Sequence, residues 1–423
     1  MAAKMNVGIV GGGVVGGGVY SILTEKFGDV VSVPKIAVRD LSKPRDFPLL
    51  PGTTLTANWE DVVNDPSIQC IVEVMGGLGA AKQCMLAALA KGKHVVTANK
   101  ALLAACCDEV CAATAAGGGT LGFEAAVCGG IPIIATLQQH LAGDDIFSVR
   151  GIMNGTTNFM LSKMEFEGAG YDDVLAEAQA LGFAESDPTA DVEGHDVQAK
   201  IALLAKLAFG QTVPFDQVPT SGISKLGAVD FEYAKLLGAT VKLLGTASLD
   251  RKTGELCVYV APHIVPSAHV SGFAACRGAM NAVALETKHL GTASLVGPGA
   301  GRYPTARSIV ADVIRAARGG ATVPFPAAAG AAKLTFNPDY VSKFYVRITA
   351  KDQVGIIRMV GAAAEQRGVS IDAVLQNPIN DPTNIEFVVT TGLARHSAVA
   401  AFCADIAALP FAKQPPVLAG MLC

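Results

Sequence analysis

Metal-binding spacings are missing from this chain. Among its 423 residues no CxxC pair, HxH or HExxH occurs, which excludes the common zinc-site and metalloprotease patterns. Ten cysteines are present, but they are scattered along a long chain with no secretion signal, and that excludes a disulfide scaffold. Cys106, Cys107 and Cys111 lie close together without metal-ligand spacing. No apolar run reaches membrane-spanning length; the longest helical apolar stretches carry Gly, Lys or Gln and read as ordinary core. Basic clusters interleaved with aromatics are absent too. With a formal net charge of −4 and a pI near 6.0, a nucleic-acid-binding surface is excluded. Met1-Ala-Ala-Lys-Met5 runs straight into a strand with no separate apolar targeting segment, so a cytoplasmic location is expected. What the chain does have is apolar residues. At 51% hydrophobic and 17% charged over 423 residues, it can bury two or three large cores.

The first 125 residues alternate short β-branched runs with helical patterns. Residues 6–10, 35–38, 70–74, 94–97 and 120–123 read as strands, and 14–26, 80–90 and 101–116 as helices. That rhythm predicts an α/β fold with a Rossmann-type parallel sheet covered on both faces. A dinucleotide-binding domain is expected over 1–130. Mixed α+β patterning with acidic and Gly-rich loops then marks a second domain over 131–300. Gly297-Pro-Gly-Ala-Gly301 precedes a helical stretch at about Thr305 to Arg318, and a helix over 302–318 is expected to return to the first domain. A Gly/Ala/Pro linker covers 319–343. The last stretch, 344–423, reads strand, helix, strand, strand, helix, strand, the ferredoxin-like βαββαβ order, and is expected to stand as a separate unit. Its Asp352-Gln-Val-Gly355 loop feeds a helix N-terminus, where backbone N–H groups can meet a small anion.

Gly11-Gly-Gly13-Val14-Val15-Gly16 fits G-x-G-x-x-G, follows the first strand and opens a helix. Gly11 permits the tight turn, Gly13 lets a pyrophosphate approach the backbone, and Gly16 permits close helix packing. Cofactor choice is read at the end of the second strand, Val38-Arg39-Asp40, with Lys43 and Arg45 nearby. Arg39 can stack on adenine and pair with a 2′-phosphate, while Asp40 can cap the turn, so NADP is favoured with NAD use left open. Thr97-Ala-Asn99-Lys100 follows a strand whose C-terminal end should line the ligand crevice; the same residues also fit an ordinary solvated turn.

One further stretch carries an amine beside a carboxylate. Asp191-Val-Glu-Gly-His-Asp196-Val-Gln-Ala-Lys200 follows the acidic loop Glu185-Ser-Asp-Pro-Thr-Ala190, and Asp196 and Lys200 share a helix face at i and i+4. The helix continues with Ile201, Leu203, Leu204, Leu207 and Phe209, which hold the lysine stem from water, and a desolvated lysine can carry protons near neutral pH. A plain surface ion pair is the alternative.

Taken in order, Gly11–Gly16, Thr97–Lys100, Gly151-Ile-Met-Asn-Gly-Thr-Thr-Asn158, the run from Leu181 through Glu185 and Asp191 to Lys200, and Gly297–Gly301 resemble the homoserine dehydrogenase family over about residues 5–320. The 344–423 unit resembles an ACT domain, an amino-acid-binding module of the family's longer members; a purely structural or dimerising appendage is the alternative. The resemblance implies reversible oxidation of L-homoserine to L-aspartate 4-semialdehyde, a step in threonine, methionine and isoleucine biosynthesis. In it Lys200 is the catalytic lysine, Asp196 orients it and Lys100 is a second cation. Glu185, Asp191, Asp196, Gly155, Thr156 and Phe183 bind substrate, Phe183 standing where the family often has Tyr. Gly11, Gly13, Val14, Val15, Gly16, Arg39, Lys43, Thr97, Asn99, Lys100, Gly182, Glu185 and Gly299 surround NADP or NAD. Glu124 with the carbonyls of Val127, Gly129 and Ile131 implies a sodium site, oxygen ligation suiting a hard cation. A threonine effector at the ACT-like unit, and a homodimer or homotetramer built through segments near 262–300, are also implied. No kinase-like segment is seen ahead of the first strand, so a monofunctional enzyme is expected. Two other readings stay open: a phosphorylating semialdehyde dehydrogenase using Cys128, and a nucleotide- and amino-acid-sensing regulator without catalysis.

Overall fold

The computed structural model describes residues 4–320 and 334–422; within the linker expected over 319–343, residues 321–333 lie outside the described residues. The chain divides into two compact units. One comprises Met1–Ile146, Ala202–Phe215 and Leu295–Ala331, the other Phe147–Ile201, Asp216–Ser294 and Ala332–Cys423.

The first unit is built on β1 (Met5–Val10), β2 (Val31–Ala37), β3 (Thr54–Thr56), β4 (Cys70–Glu73), β5 (His94–Thr97) and β6 (Leu121–Gly122). They lie in the order β3-β2-β1-β4-β5-β6, every pair parallel. This is the doubly wound dinucleotide-binding order, which reverses direction between β1 and β4 and opens a crevice at their C-terminal ends. Val7, Ile9, Cys70, Ile71 and Val72 are all buried, as helices on both faces demand. β2 begins four residues before the sequence reading placed it, at Val31 instead of Lys35. Pro34 caused the difference: it cannot donate to the ladder, and the register slips there, between Asn6↔Ser32 and Gly8↔Lys35. The helix Val14–Lys26 has the bounds read from sequence, whereas β3 and the helix Glu60–Val63 are too short to leave a periodic signal. The helix Arg302–Ala317 belongs to this unit. Its Ala306, Ile309, Val310 and Val313 share a core with Val19, Tyr20 and Leu23 of the first helix.

The second unit carries β7 (Ile146–Ile152), β8 (Ala239–Asp250), β9 (Glu255–Pro266), β10 (Met280–Thr287), β11 (Gly291–Pro298), β12 (Thr335–Phe336), β13 (Val341–Ala350), β14 (Ile371–Gln376), β15 (Ile385–Thr391), β16 (Ala394–Arg395) and β17 (Val417–Met421). Their main path runs β11-β10-β7-β8-β9-β17-β13-β15-β14. β8 and β9 form a long antiparallel hairpin. Sequence pattern did not resolve it, because Ala239 to Ala247 are buried without interruption and the alternation that marks a half-exposed strand is lost. The C-terminal βαββαβ order is present, with helices Ile356–Gln366 and His396–Ala407. Its strands pair antiparallel as β17-β13-β15-β14. It does not stand apart as a sheet of its own: β17 pairs parallel with β9 through Gly420↔His263 and Met421↔Ile264. The boundary read at 344 is a change of topology within one continuous sheet, and Tyr259 and Ala261 of β9 enter the same core as Phe344, Val346, Phe402 and Ile406.

Candidate active site

In the first unit the candidate residues gather at the C-terminal ends of the parallel strands. Gly11 holds φ +117°, and a Cβ there would lie 2.6 Å from the Val74 carbonyl oxygen. A Cβ at Gly16 would lie 1.8 Å from the Gly11 oxygen, so the first helix can leave the strand only with glycine at this point. Gly13 differs: nothing lies within 4 Å of where its Cβ would be. The protein's own packing explains two of the three glycines, and the third keeps open the space where a phosphate must approach. Gly13 caps the helix without a side-chain hydrogen bond, and no acid occupies the first turn. Those N–H groups and the positive helix end suit an anion. These residues fit a dinucleotide.

Beyond β2, Asp40 accepts hydrogen bonds from the Ser42 amide (2.9 Å) and hydroxyl (2.6 Å), which hold its carboxyl below the ordinary aspartate range. It caps the turn. Arg45 donates to the carbonyls of Gly12 and Asp40, while Arg39 and Lys43 are exposed. At the end of β5 the Thr97 hydroxyl donates to Glu73 (2.7 Å), and Asn99 donates to the Gly77 carbonyl and caps the following helix at Leu102 N. Lys100 is half-buried and opens that helix. Glu73, fully buried and also accepting from the Met75 amide at 2.8 Å, was missed by sequence reasoning. Its signal was an acid closing the otherwise apolar run Cys70-Ile71-Val72.

Glu124 is 3% exposed and accepts from the amides of Ile134 and Ala135, each at 2.8 Å. Its own amide donates to Asp312 at 2.9 Å, and Asp312 pairs with Arg315 at 3.2 Å. Burial pushes the Glu124 carboxyl up to about 7 and that of Asp312 up to about 6. The Gly129 carbonyl accepts from Ser308 (2.7 Å) and that of Ile131 from the Ile133 amide (2.8 Å). A Cβ on Gly129 would meet the Gly299 oxygen at 2.5 Å, which ties the Gly297–Gly301 loop to this segment. Cys128, the nucleophile required by the phosphorylating semialdehyde dehydrogenase reading, is fully buried and cannot meet a substrate.

In the second unit Lys200 is 8% exposed. Its ammonium donates to Asp196 Oδ2 at 2.7 Å and to the Met153 carbonyl at 2.6 Å. The i,i+4 pair is therefore no solvated surface bridge; it is fixed from two sides. Asn154 completes the cluster. Its Nδ2 donates to Asp191 Oδ1 (2.6 Å) and Asp196 Oδ2 (2.9 Å), and its Oδ1 accepts from the Thr157 amide (2.8 Å), capping the helix Gly155–Glu167. Sequence reasoning quoted Asn154 inside a motif without giving it this role; an Asn before Gly-Thr-Thr signals a helix cap, not a bridge between two acids. The Thr156 hydroxyl donates to the Phe183 carbonyl (2.7 Å), joining that helix to the loop of Gly182 and Glu185. The Phe183 ring packs on Phe159 with centroids 4.8 Å apart. Glu185 is exposed.

A dinucleotide crevice and a buried lysine held among carboxylates define the class, an oxidoreductase that uses a nicotinamide dinucleotide. The profile of the homoserine dehydrogenase NAD-binding domain matches residues 11–124, and that of homoserine dehydrogenase matches residues 132–314. A homoserine dehydrogenase of Bacillus subtilis is 39% identical over 92% of this chain and 91% of its own. The crystal structure of a homoserine dehydrogenase from Thiobacillus denitrificans superposes with a TM-score of 0.91 at 36% identity, covering 99% of this chain and 98% of the other. A hyperthermophilic archaeal homoserine dehydrogenase in complex with NADPH superposes with a TM-score of 0.61 at 27% identity, over 77% of this chain and 99% of that one. The chain belongs to the homoserine dehydrogenase family, NAD(P)-dependent oxidoreductases that interconvert L-homoserine and L-aspartate 4-semialdehyde in amino-acid biosynthesis.

Proposed function

We propose that Lys200 is the proton-transfer residue of this reaction. The observation that carries the proposal is its buried ammonium, fixed between Asp196 and the Met153 carbonyl in contact with the Asn154–Asp191 bridge. A bound nicotinamide dinucleotide supplies the hydride acceptor. As the neutral amine, Lys200 takes the hydroxyl proton of homoserine while the alcohol is oxidised, and as the ammonium it returns that proton in the reverse direction. Asp196 orients Lys200, and Lys100 stabilises negative charge on the reacting oxygen. Asp191, Glu185 and Asp196 bind the substrate's ammonium and hydroxyl groups. Gly155, Thr156 and Phe183 shape the loop over it, Phe183 by packing alone. Reduction of NADP⁺ on addition of homoserine to the purified protein tests the reaction; no turnover with homoserine and either nicotinamide would refute it.

On the cofactor side, Gly11, Gly13, Val14, Val15 and Gly16 hold the pyrophosphate, Thr97, Asn99, Lys100, Gly182, Glu185 and Gly299 border the nicotinamide half, and Arg39 with Lys43 meets a 2′-phosphate. Two features support NADP over NAD: both cations are exposed, and Asp40 is already engaged with Ser42. Replacing Arg39 by alanine should raise the KM for NADP⁺ about tenfold, the value of one charge-assisted hydrogen bond, and leave that for NAD⁺ unchanged. Equal effects on both would dismiss the assignment.

Sodium fits the chemistry of the Glu124 segment. Two buried acids, Glu124 and Asp312, stand against one guanidinium, Arg315. The oxygens of Glu124 keep lone pairs beyond those used by the two amides, and with the carbonyls of Val127, Gly129 and Ile131 they make an oxygen-only set. The sign is set by the raised values: stability from these groups is fully present below about pH 4, near their unfolded values, and is lost as pH rises through about 6 and 7. Sodium chloride should therefore raise the melting temperature more than choline chloride of equal ionic strength, and the gap should be wider at about pH 8, above both values, than at about pH 5, below both. An identical response to both salts at pH 8 counts against the site.

Domain boundaries follow these roles, with dinucleotide binding over 1–130 plus 302–318, catalysis over 131–300 and regulation over 344–423. The βαββαβ segment is read as an ACT-like module. A cavity of about 180 Å³ lined by Asp352, Gln353, Arg358, Gln376 and Phe387 offers both charges and an apolar wall to an amino-acid effector such as threonine. Strands in 262–300 make a homodimer or homotetramer, and the enzyme works in the cytoplasm. Among the described residues no helix is long and apolar enough to cross a membrane.

A further inference from the structure

We propose that Arg347, contributed by the C-terminal βαββαβ segment, is a positioning residue for the carboxylates that bind homoserine, acting through residues 222–230. Arg347 lies on β13 and is 5% exposed; Asp230, in the first turn of the helix Ala228–Leu236, is fully buried. The guanidinium donates to Asp230 Oδ1 (2.8 Å), Glu386 Oε1 (2.6 Å) and the Lys225 carbonyl (3.0 Å). Tyr345 donates to the same Asp230 oxygen at 2.7 Å, and the other Asp230 oxygen caps the Gly227 amide at 2.9 Å. Tyr233, one turn along that helix, donates to the Glu386 carbonyl (2.7 Å) and accepts from the Asn377 amide (3.0 Å). Both ends of the 225–233 segment are thus pinned to the C-terminal strands by buried, directional bonds.

The segment's other end touches the backbone of Val192, the residue after Asp191. The Leu226 amide donates to the Ile223 carbonyl, and the Ile223 amide donates to the Val192 carbonyl at 2.8 Å. Gly222 lies so close that a Cβ on it would stand 2.0 Å from that same Val192 oxygen. Val192 follows Asp191, the carboxylate that Asn154 ties to Asp196 and so to Lys200. Each step is a direct contact between atoms of one compact unit. The backbone carrying Asp191 is held from behind by a segment whose own position is set by Arg347. A guanidinium suits this post because its planar fork binds three acceptors at once, which an ammonium of the same charge cannot do in that geometry.

The proposal rests on the assignment of Asp191 to substrate binding, so the test includes Asp191→Asn. Steady-state kinetics on the full chain would compare Arg347→Lys, which keeps the charge but loses the fork, with Tyr233→Phe, which loosens the same helix and leaves every charge in place. The expected result is a homoserine KM raised about tenfold in Arg347→Lys, the scale of a displacement of a fraction of an ångström in a binding group, and a smaller rise in Tyr233→Phe. In both, kcat and the KM for NADP⁺ stay at their wild-type values, a split that general loss of folded protein would not produce. Should Arg347→Lys fail to fold, Tyr233→Phe decides the matter. A raised homoserine KM in Asp191→Asn with wild-type values in every folded variant of the other two overturns the coupling. A wild-type KM in Asp191→Asn overturns the assignment of Asp191, and the proposal falls with it.

Discussion

Replacing Lys200 by alanine is expected to lower kcat by a factor of about 10²–10⁴, the range that a positioned proton-transfer group contributes. NADPH binding should be untouched. The measurement pairs initial rates of homoserine oxidation with a fluorescence titration of NADPH against the same preparation. The expectation follows from what alanine removes: an ammonium held by Asp196 at 2.7 Å and by the Met153 carbonyl at 2.6 Å. Asn154 carries only an amide, and Asp196 and Asp191 are already engaged by it and, for Asp196, by Lys200 itself. Lys200→Arg sharpens the experiment. It retains a cation but not one that gives up its proton, so it should be about as inactive as alanine if proton transfer is the role, and largely active if charge alone matters. A near-normal kcat in the alanine variant would remove Lys200 from the chemistry altogether.

The lysine was legible in the sequence because two local signals coincide there. An acid and an amine four residues apart share a helix face, and the apolar residues from Ile201 onward dictate that this face is covered. The glycine turn was legible because G-x-G-x-x-G is a local pattern: Gly16 answers to the Gly11 oxygen 1.8 Å from where its Cβ would be, whereas the 2.6 Å approach of Val74 to Gly11 comes from the end of a strand distant in sequence. Asn154 and Glu73 were not legible. Their partners, Asp191 and Asp196 in one case and Thr97 in the other, lie 37, 42 and 24 residues away, and only the fold brings them together. The β8–β9 hairpin was hidden for a third reason. A strand buried on both faces has no alternation to read, so its apolar run cannot be told from a helix segment by period. Cofactor preference sits between these cases. The hydrogen bonds that Asp40 accepts from Ser42 span two residues, a turn cap that sequence suggested and geometry displays, and the proposed 2′-phosphate contact then rests on Arg39.

The largest effect on stability is expected at Arg347→Met. Asp230 is fully buried and its salt-bridge partner is the equally buried Arg347. Removing one member of such a pair strands a charge in low dielectric and costs about 3–5 kcal/mol. Solvent screening, which makes exposed bridges nearly worthless, does not soften this one. Tyr345 and the Gly227 amide would still hydrogen-bond Asp230, which places the loss toward the lower end. The loss should be local to the second unit. Trp59, the single tryptophan, belongs to the first unit, so its fluorescence transition should move little while amide exchange accelerates in β13, β15 and the helix Ala228–Leu236. The double variant Arg347→Met with Asp230→Asn should recover part of the loss, because the amide strands no charge and its oxygen still accepts from Tyr345 or the Gly227 amide. If the double variant were as unstable as the single, the damage would lie in packing and not in the stranded carboxylate. A recovered stability with a homoserine KM still raised would separate the two duties of this pair: holding the C-terminal segment to the sheet, and holding the segment behind Asp191 in place.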